Sequence, residues 1–294
     1  SIQLTYHNIE ENNTYETSRD FHIFELRDFF DSLVREYLGW AERTNSWTVI
    51  RNTSIAGMKF PFDRYRPGQE KMIRKVASVI EEKANLMIQA PTGIGKTMAV
   101  ILPAVRALPK GTIHRVFFLT ARTTGKNAAE QCLDILRDMG LKIKHLSLTA
   151  KDKICFNPKK PCNGQECIYA RGFYDRINEA LQDAFNIDCF TRDTIISLSE
   201  KHSLCPFEFS LELALWVDLI ICDYNYVFDP RVYLRRFFDN EEKNSVILVD
   251  EAHNLVDRSR EMCSATLYKK PVSALKKLLR TTLPGLYRSL NKIS

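Results

Sequence analysis

Near the start of the chain, apolar positions recur with a helical period. Around residues 21–41 they repeat every three or four positions, which predicts an amphipathic helix. Residues 1–20 alternate instead and predict short extended pieces, and a polar, turn-rich stretch follows the helix at residues 45–57. We expect residues 1–57 to be the tail of a preceding domain with a linker helix. The predicted apolar stripe of the helix is Leu26, Phe29, Phe30, Leu33, Val34, Tyr37 and Leu38.

From Phe60 onward, strand and helix patterns alternate. A helix opens at Pro67 and carries one apolar face. Near-continuous apolar runs are typical of strands buried on both faces of a parallel sheet, so the pattern predicts an α/β fold. The helix face is Met72, Ile73, Val76, Val79 and Ile80, and the strand candidates are residues 84–90, 113–120, 146–149, 215–222 and 245–250.

A different composition interrupts this alternation between Lys151 and Phe207. Prolines, a glycine and five cysteines lie there, around a helical stretch at residues 168–185. We therefore predict an insertion at 151–209 that divides one domain into residues 58–150 and 210–264.

Charge and hydropathy exclude a membrane-spanning protein without identifying a partner. The 42 Lys and Arg against 36 Asp and Glu give a net charge of +6, which permits a polyanionic partner. No run approaches the roughly 18 apolar residues of a membrane span, and the polar start lacks the core of a signal peptide. We expect a soluble cytoplasmic protein.

A phosphate-binding loop lies between the predicted strand at 85–89 and a predicted helix at 98–108. Glycines let backbone N–H groups converge on phosphate oxygens, and the following helix directs its positive end at them. Lys96 is expected to reach the terminal phosphates of ATP, and Thr97 to hold Mg²⁺. The loop reads Ala90, Pro91, Thr92, Gly93, Ile94, Gly95, Lys96 and Thr97, with Ala90 where the strict pattern has glycine.

A second nucleotide motif ends the last strand candidate. Four apolar residues precede Asp250 and Glu251, followed by Ala252 and His253. A carboxylate at the carboxyl edge of a buried strand is placed to hold Mg²⁺, which we assign to Asp250. Glu251 then serves as the base that polarises the attacking water, since phosphoryl transfer depends on positioning and charge neutralisation. His253 either couples hydrolysis to a nucleic-acid site or is a structural histidine.

The cysteines between these two motifs suggest a metal centre. Thiols inside cells stay reduced, so clustered cysteines there favour metal ligation over disulfides. Cys155, Cys162, Cys167 and Cys205 are separated by six, four and thirty-seven residues, without the close pairs typical of zinc ribbons. Iron–sulfur clusters accept such spacing, although zinc stays open. Cys189 is the rival fourth ligand, while buried, inert thiols are expected at Cys132, Cys222 and Cys263.

Together these motifs resemble the iron–sulfur superfamily two DNA helicases of the XPD/DinG family. Besides the loop and the Asp-Glu-Ala-His sequence, the resemblance rests on Cys205 followed by Pro206 and Phe207, which favours Cys205 over Cys189. It covers residues 60–264 in order. Further matching segments are Phe60-Pro61-Phe62, Tyr65-Arg66-Pro67-Gly68-Gln69, Leu119-Thr120-Ala121-Arg122-Thr123 and Asp223-Tyr224-Asn225-Tyr226.

The resemblance implies a RecA-like domain that binds ATP and Mg²⁺ and carries an inserted [4Fe-4S] domain. It implies adenine recognition by Gln69 within a motif that includes Arg66, a single-strand contact at 119–123, and 5′ to 3′ translocation on single-stranded or tailed DNA. It also favours a bacterial DNA-repair protein. A basic cluster interleaved with aromatic residues suits phosphates and stacked bases, or is a solvated charged face. The cluster is Lys151, Lys153, Lys159, Lys160, Arg171 and Arg176, with Phe156, Tyr169, Phe173 and Tyr174.

Such a helicase needs a second RecA-like domain, and nothing after Arg260 reads as one. We expect residues 265–294 to begin a helical arch-like insertion, and the chain to be the motor half of a longer protein that alone hydrolyses ATP poorly. The preceding domain resembles a nuclease, but residues 1–57 carry no nuclease signature. The alternative functions are a non-catalytic, nucleotide-switched DNA-binding module and a zinc-containing P-loop nucleotidase; an RNA track also stays open.

Overall fold

The computed structural model of the protein describes residues 1–9, 11–232, 234–238 and 244–292. Its strands are β1 (Ile2–Asn8), β2 (Asn13–Arg19), β3 (Arg115–Leu119), β4 (His145–Ser147), β5 (Cys189–Phe190), β6 (Leu219–Cys222) and β7 (Ser245–Val249). Its helices are α1 (Ile23–Ala56), α2 (Gln69–Glu81), α3 (Lys96–Ala107), α4 (Thr123–Asp138), α5 (Lys151–Ile154), α6 (Phe173–Phe185), α7 (Arg192–Lys201), α8 (Pro206–Leu213), α9 (Asn225–Phe228), α10 (Arg235–Phe238), α11 (Leu255–Met262), α12 (Lys269–Thr282) and α13 (Pro284–Asn291).

A parallel sheet of five strands forms the centre, in the order β5-β4-β6-β3-β7. Successive side chains of a strand point to opposite faces, so the apolar runs bury both faces. Val116 and Phe118 pack on one side with α3, α4 and the end of α1. Phe117 and Leu119 pack on the other with α6, α7 and α8. The predicted α/β architecture with a parallel sheet is confirmed.

The prediction of a strand at 84–90 is wrong. These residues form neither helix nor strand, although the run is apolar. Leu86 and Ile88 are each 38% exposed and Met87 is 94% exposed. A strand requires a neighbour for its backbone hydrogen bonds, and an apolar run alone does not supply one. The phosphate loop therefore follows an unpaired segment instead of a sheet strand.

The predicted turn-rich stretch at 45–57 is also wrong, because α1 continues through it to Ala56. Its second half packs on the sheet domain. Trp40 meets Trp216 edge to face at 5.6 Å, and Trp47 lies 4.3 Å from the Lys144 ammonium. Arg51 Nη1 is 2.6 Å from Asp218 Oδ1. These partners lie within residues 140–220, so the polarity of residues 45–57 alone could not predict the contacts.

The first half of α1 leaves most of its predicted apolar stripe exposed. Phe29, Phe30 and Tyr37 are more than 60% exposed, and the antiparallel pair β1–β2 is exposed along nearly its whole length. The period identified the helix correctly, but in the described residues the stripe does not pack into the core.

Part of the predicted insertion belongs to the main core. Inside 151–209, β5 pairs with β4, and the helices α6, α7 and α8 cover one sheet face. The insertion boundaries stay predictions. Residues beyond 264 form α12 and α13 in the described range, and no described helix has the length and apolarity to cross a bilayer.

Candidate functional site

The phosphate loop turns into α3 through two left-handed glycines. Gly93 has φ +83° and Gly95, the N-cap of α3, has φ +78°, a region that other residues rarely adopt. Lys96 opens the helix, and its Nζ lies 3.5 Å from the carbonyl oxygen of Ala90. The loop therefore curls around its own lysine at a helix N-terminus, the arrangement that suits an anion.

Two side chains from the start of α2 brace this loop. The Gln69 amide is buried, donates from Nε2 to the Gly95 carbonyl at 3.3 Å and accepts from the Arg66 amide at 3.1 Å. Arg66 Nη1 donates to the Gly93 carbonyl. A Cβ on Gly95 would collide with the Gln69 side chain. In this conformation, both the oxygen and the nitrogen of the Gln69 side-chain amide make hydrogen bonds within the chain, so adenine recognition by Gln69 stays a prediction.

The acidic pair follows the end of β7. The Asp250 amide donates to the Leu119 carbonyl at 2.9 Å, which fixes the turn against the neighbouring strand β3. Burial raises the pKa of Asp250 and the charge of Glu251 adds to this, while Lys96 opposes it. Glu251 itself has a left-handed backbone, with φ 49° and ψ 47°. Non-glycine residues in that region concentrate at functional sites.

A cleft of about 250 Å³ joins the two motifs. Lys96 Nζ is 3.5 Å from Glu251 Oε1, and His253 Nδ1 is 3.4 Å from Glu251 Oε2. The structure thus brings Lys96, Thr97, Asp250 and Glu251 together, with the exposed His253 beside them. The cleft is lined by Lys96, Thr97, Thr120, Ala121, Arg122, Thr124, Gly125, Tyr224, Asp250, Glu251 and Asn254.

The sequence predicted no role for four of these lining residues, which are Thr124, Gly125, Tyr224 and Asn254. Gly125, in the first turn of α4, lies so close to Thr120 and Asp250 that an added Cβ would meet the Thr120 hydroxyl and come within 3.0 Å of Asp250 Oδ2. Tyr224 and Asn254 bond to the turn at Glu251. Tyr224 belongs to one of the segments that resemble the helicase family, but only the fold shows which groups its hydroxyl contacts.

The four predicted cluster cysteines share neighbours. Asn157 donates its amide to Cys155 Sγ at 3.3 Å and its side chain to Cys167 Sγ at 3.9 Å. A hydrogen bond to Cys162 raises the pKa of Lys151, which also interacts with Cys205. Burial raises the pKa of Cys205, which interacts with the charge of Cys155.

These thiols do not converge at ligating distances. In the described ranges, no three His, Cys, Asp or Glu side chains are close enough together to hold a metal ion. Four thiols in one region are nevertheless the donor set that an iron–sulfur cluster takes. Cys189 lies apart in strand β5, where its Sγ is 3.4 Å from His145 Nε2.

The arginines and the lysines of the predicted basic cluster have different surroundings. Arg171 donates to the carbonyls of Gly164 and Gln165, and Arg176 to those of Arg171 and Ser203. Both arginines therefore tie loop backbone together, and Phe173 is buried in the core. The lysines of the cluster are exposed.

Comparison with known families identifies the domain. A family model described as DEAD_2 matches residues 123–272, about half of the chain. The chain belongs to the DEAD_2 family. A model described as DEAD/DEAH box helicase matches residues 66–162, which include the phosphate loop. The predicted relationship to superfamily two helicases is confirmed, and the DEAD_2 match spans the acidic turn and all four candidate cluster cysteines.

Similar proteins include helicases. The regulator of telomere elongation helicase 1 homolog of Caenorhabditis briggsae is 25% identical, over 80% of this chain and 28% of that protein. The general transcription and DNA repair factor IIH helicase subunit XPD of Arabidopsis thaliana is 24% identical, over 80% and 34%. The DEAD_2 chain therefore spans about a third or less of the length of these relatives.

Solved structures share the fold. An XPD helicase superposes with a TM-score of 0.52 at 21% identity, covering 79% of this chain and 40% of that one. A truncated XPD gives 0.51 at 21% identity, covering 76% and 63%. The α/β fold of this DEAD_2 chain is therefore XPD-like.

Proposed function

We propose that the chain is the nucleotide-binding motor domain of an ATP-dependent DNA helicase. The observation that carries the proposal is the 3.5 Å contact between Lys96 of the phosphate loop and Glu251 of the acidic turn. It joins the two motifs that ATP hydrolysis requires across one cleft. Membership of the DEAD_2 family and the helicase relatives support the same activity.

Four residues of the cleft have a chemical role in this proposal. Lys96 neutralises the terminal phosphates, and the N-terminus of α3 adds its partial positive charge. Thr97 and Asp250 would hold Mg²⁺, which supplies charge neutralisation of the phosphates when bound. Glu251 orients and polarises the attacking water, and its contact with His253 gives a route by which hydrolysis is coupled to the DNA site.

The DNA track is assigned to the same edge of the sheet. Thr120 and Arg122 line the cleft beside the acidic turn, so a single strand held by residues 119–123 would lie next to the bound nucleotide. In this proposal, arginines from a second RecA-like domain complete the ATP site. The 5′ to 3′ direction and a place in bacterial DNA repair rest on the DinG resemblance.

The iron–sulfur cluster is a separate part of the proposal. Cys155, Cys162, Cys167 and Cys205 would hold it, since these four thiols are linked through Asn157 and Lys151. The cluster would supply a rigid centre for the region beside the DNA path. The bond of Cys189 to His145 in the core sheet argues against Cys189 as a ligand.

Lys96→Ala tests the nucleotide site. We expect ATP binding to weaken at least tenfold and DNA-stimulated hydrolysis by the complete protein to be lost, with Lys75→Ala, an exposed lysine of α2, as the matched control. Hydrolysis that survives Lys96→Ala would contradict the proposal. Nucleotide-dependent DNA affinity without steady-state turnover in the wild type would favour the non-catalytic module instead.

Metal analysis tests the cluster. Anaerobically purified protein should contain about four irons and four sulfides per chain, with their visible absorption. Cys205→Ser should lose both, whereas Cys189→Ser should keep them. Zinc in the wild type, or iron that is unaffected by Cys205→Ser and lost in Cys189→Ser, would overturn this assignment and leave the ATP site intact. Unwinding of 5′-tailed but not 3′-tailed duplexes tests direction.

A further inference from the structure

A buried tyrosine lies beneath the acidic turn. Tyr224 has no exposed surface, and its hydroxyl donates to the carbonyl of Asp250 and, at 3.2 Å, to that of Glu251. It follows β6, whereas the turn follows β7, and β3 lies between these strands in the sheet. The tyrosine therefore links two strand ends that do not pair with each other.

The turn requires such a holder because Glu251 has an unfavourable backbone conformation. Its φ of 49° is a left-handed value that side chains with a Cβ rarely adopt. The Glu251 carbonyl accepts from the Tyr224 hydroxyl, from the Asn254 amide at 3.0 Å and from Asn254 Nδ2 at 3.1 Å. Fixing this carbonyl fixes the orientation of the peptide, and with it the direction of the Glu251 side chain.

The residue before the tyrosine makes a second tie to the same region. Asp223 accepts from Arg258 Nη2 at 3.0 and 3.3 Å and from the Asn225 amide at 3.0 Å. Arg258 belongs to α11, the helix that follows the turn. Asp223 and Tyr224 thus hold the acidic turn on both sides.

We infer that Tyr224 is a positioning residue for hydrolysis: its hydroxyl holds the Asp250 and Glu251 carbonyls so that the Glu251 carboxylate faces Lys96 and the cleft. This inference rests on the proposed ATP hydrolysis. The Tyr224 hydroxyl is bonded to the turn, so removing this hydroxyl is expected to affect turnover and not nucleotide binding.

Tyr224→Phe removes only the hydroxyl, and Tyr226→Phe removes the hydroxyl of another buried tyrosine, which lies two residues further on in α9. We expect Tyr224→Phe to lower kcat for ATP about tenfold, with KM and nucleotide affinity within about twofold of wild type. Tyr226→Phe should keep wild-type kcat. In the Glu251→Gln background, adding Tyr224→Phe should change the residual single-turnover rate less than about twofold, because the tyrosine acts through that carboxylate.

Hydrogen exchange tests the positioning without any hydrolysis. The Asn254 amide bonds to Glu251 and the Asp250 amide to Leu119, so both should exchange at least about tenfold faster in Tyr224→Phe and unchanged in Tyr226→Phe. Unchanged exchange in Tyr224→Phe overturns the inference, as does faster exchange with wild-type kcat. A wild type that hydrolyses no ATP contradicts the proposed function, and the exchange result alone then decides whether Tyr224 holds the turn.

Discussion

We expect Gly125→Ala to destabilise the protein, whereas replacing a glycine within a helix by alanine usually stabilises it. Gly125 lies in the first turn of α4, where an alanine ordinarily stabilises a helix. At this position, however, a Cβ would collide with the Thr120 hydroxyl and lie 3.0 Å from Asp250 Oδ2. Gly125→Ala must therefore displace one of two side chains that line the cleft.

The sizes of two opposing effects decide whether Gly125→Ala raises or lowers the stability of the protein. Replacing a helical glycine by alanine gains about 0.5–1 kcal/mol, whereas overpacking a filled site costs about 1–3 kcal/mol. We expect Gly125→Ala to lose about 1 kcal/mol of stability. Moving the Asp250 carboxylate should weaken Mg²⁺-dependent ATP binding about tenfold, in line with the roughly 10–100-fold effects of changes around metal ligands.

Gly39→Ala is the matched control. Gly39 lies within α1 with no atom within 4 Å of an added Cβ, so alanine should raise stability by about 0.5–1 kcal/mol there. Thermal melting measures both stabilities, and titration of a fluorescent ATP analogue with and without Mg²⁺ measures binding. A Gly125→Ala protein that is stabilised like Gly39→Ala and binds MgATP normally would refute the crowding argument.

Two further outcomes concern buried polar groups away from the cleft. Burial lowers the pKa of His145 to about 4, with Arg137 contributing, so the unfolded chain takes up a proton first as the pH falls below 6.5. Stability should fall by about 3 kcal/mol between pH 6.5 and 4, and denaturant titrations should show this slope in the wild type and in His114→Gln but not in His145→Gln. Lys144→Met should cost about 2–3 kcal/mol, since the ammonium donates to the carbonyls of Phe185 at 2.6 Å and Ile187 at 2.8 Å; an unchanged unfolding midpoint would contradict this.

The sequence predicted the sheet well where strands are buried on both sides. The runs that became β3 and β6 were identified because both faces of each strand are buried, which makes their apolar residues nearly continuous. The run of β7 was identified as well, although this strand lies at the edge of the sheet and Ile247 is 40% exposed. The same signal failed at 84–90, since apolar content does not reveal whether a neighbouring strand is present. It also missed β5, whose two residues are too few for a periodic pattern.

The sequence likewise predicted only part of the candidate site. Lys96, Thr97, Asp250 and Glu251 lie in linear motifs, and the fold brings them to one cleft as expected. Gly125 and Tyr224 could not be assigned, because their importance depends on neighbours that are distant in sequence. Arg171 and Arg176 were included in a DNA-binding cluster on charge alone, whereas their guanidinium groups bond to backbone carbonyls.

Both halves of the ATP site are held by side chains that bond to backbone carbonyls. Gln69 and Arg66 hold the loop at Gly95 and Gly93, and Tyr224 holds the acidic turn. Among the described residues, no strand pairs with the segment before the loop, so the loop depends on this support. Between the two halves, Lys96 pairs with Glu251, and both side chains are at least one-third exposed, so the pair contributes little stability of its own. Under the proposed function, the phosphates of ATP can therefore replace Glu251 as the partner of Lys96 with little loss of stability, and the freed carboxylate can act on water.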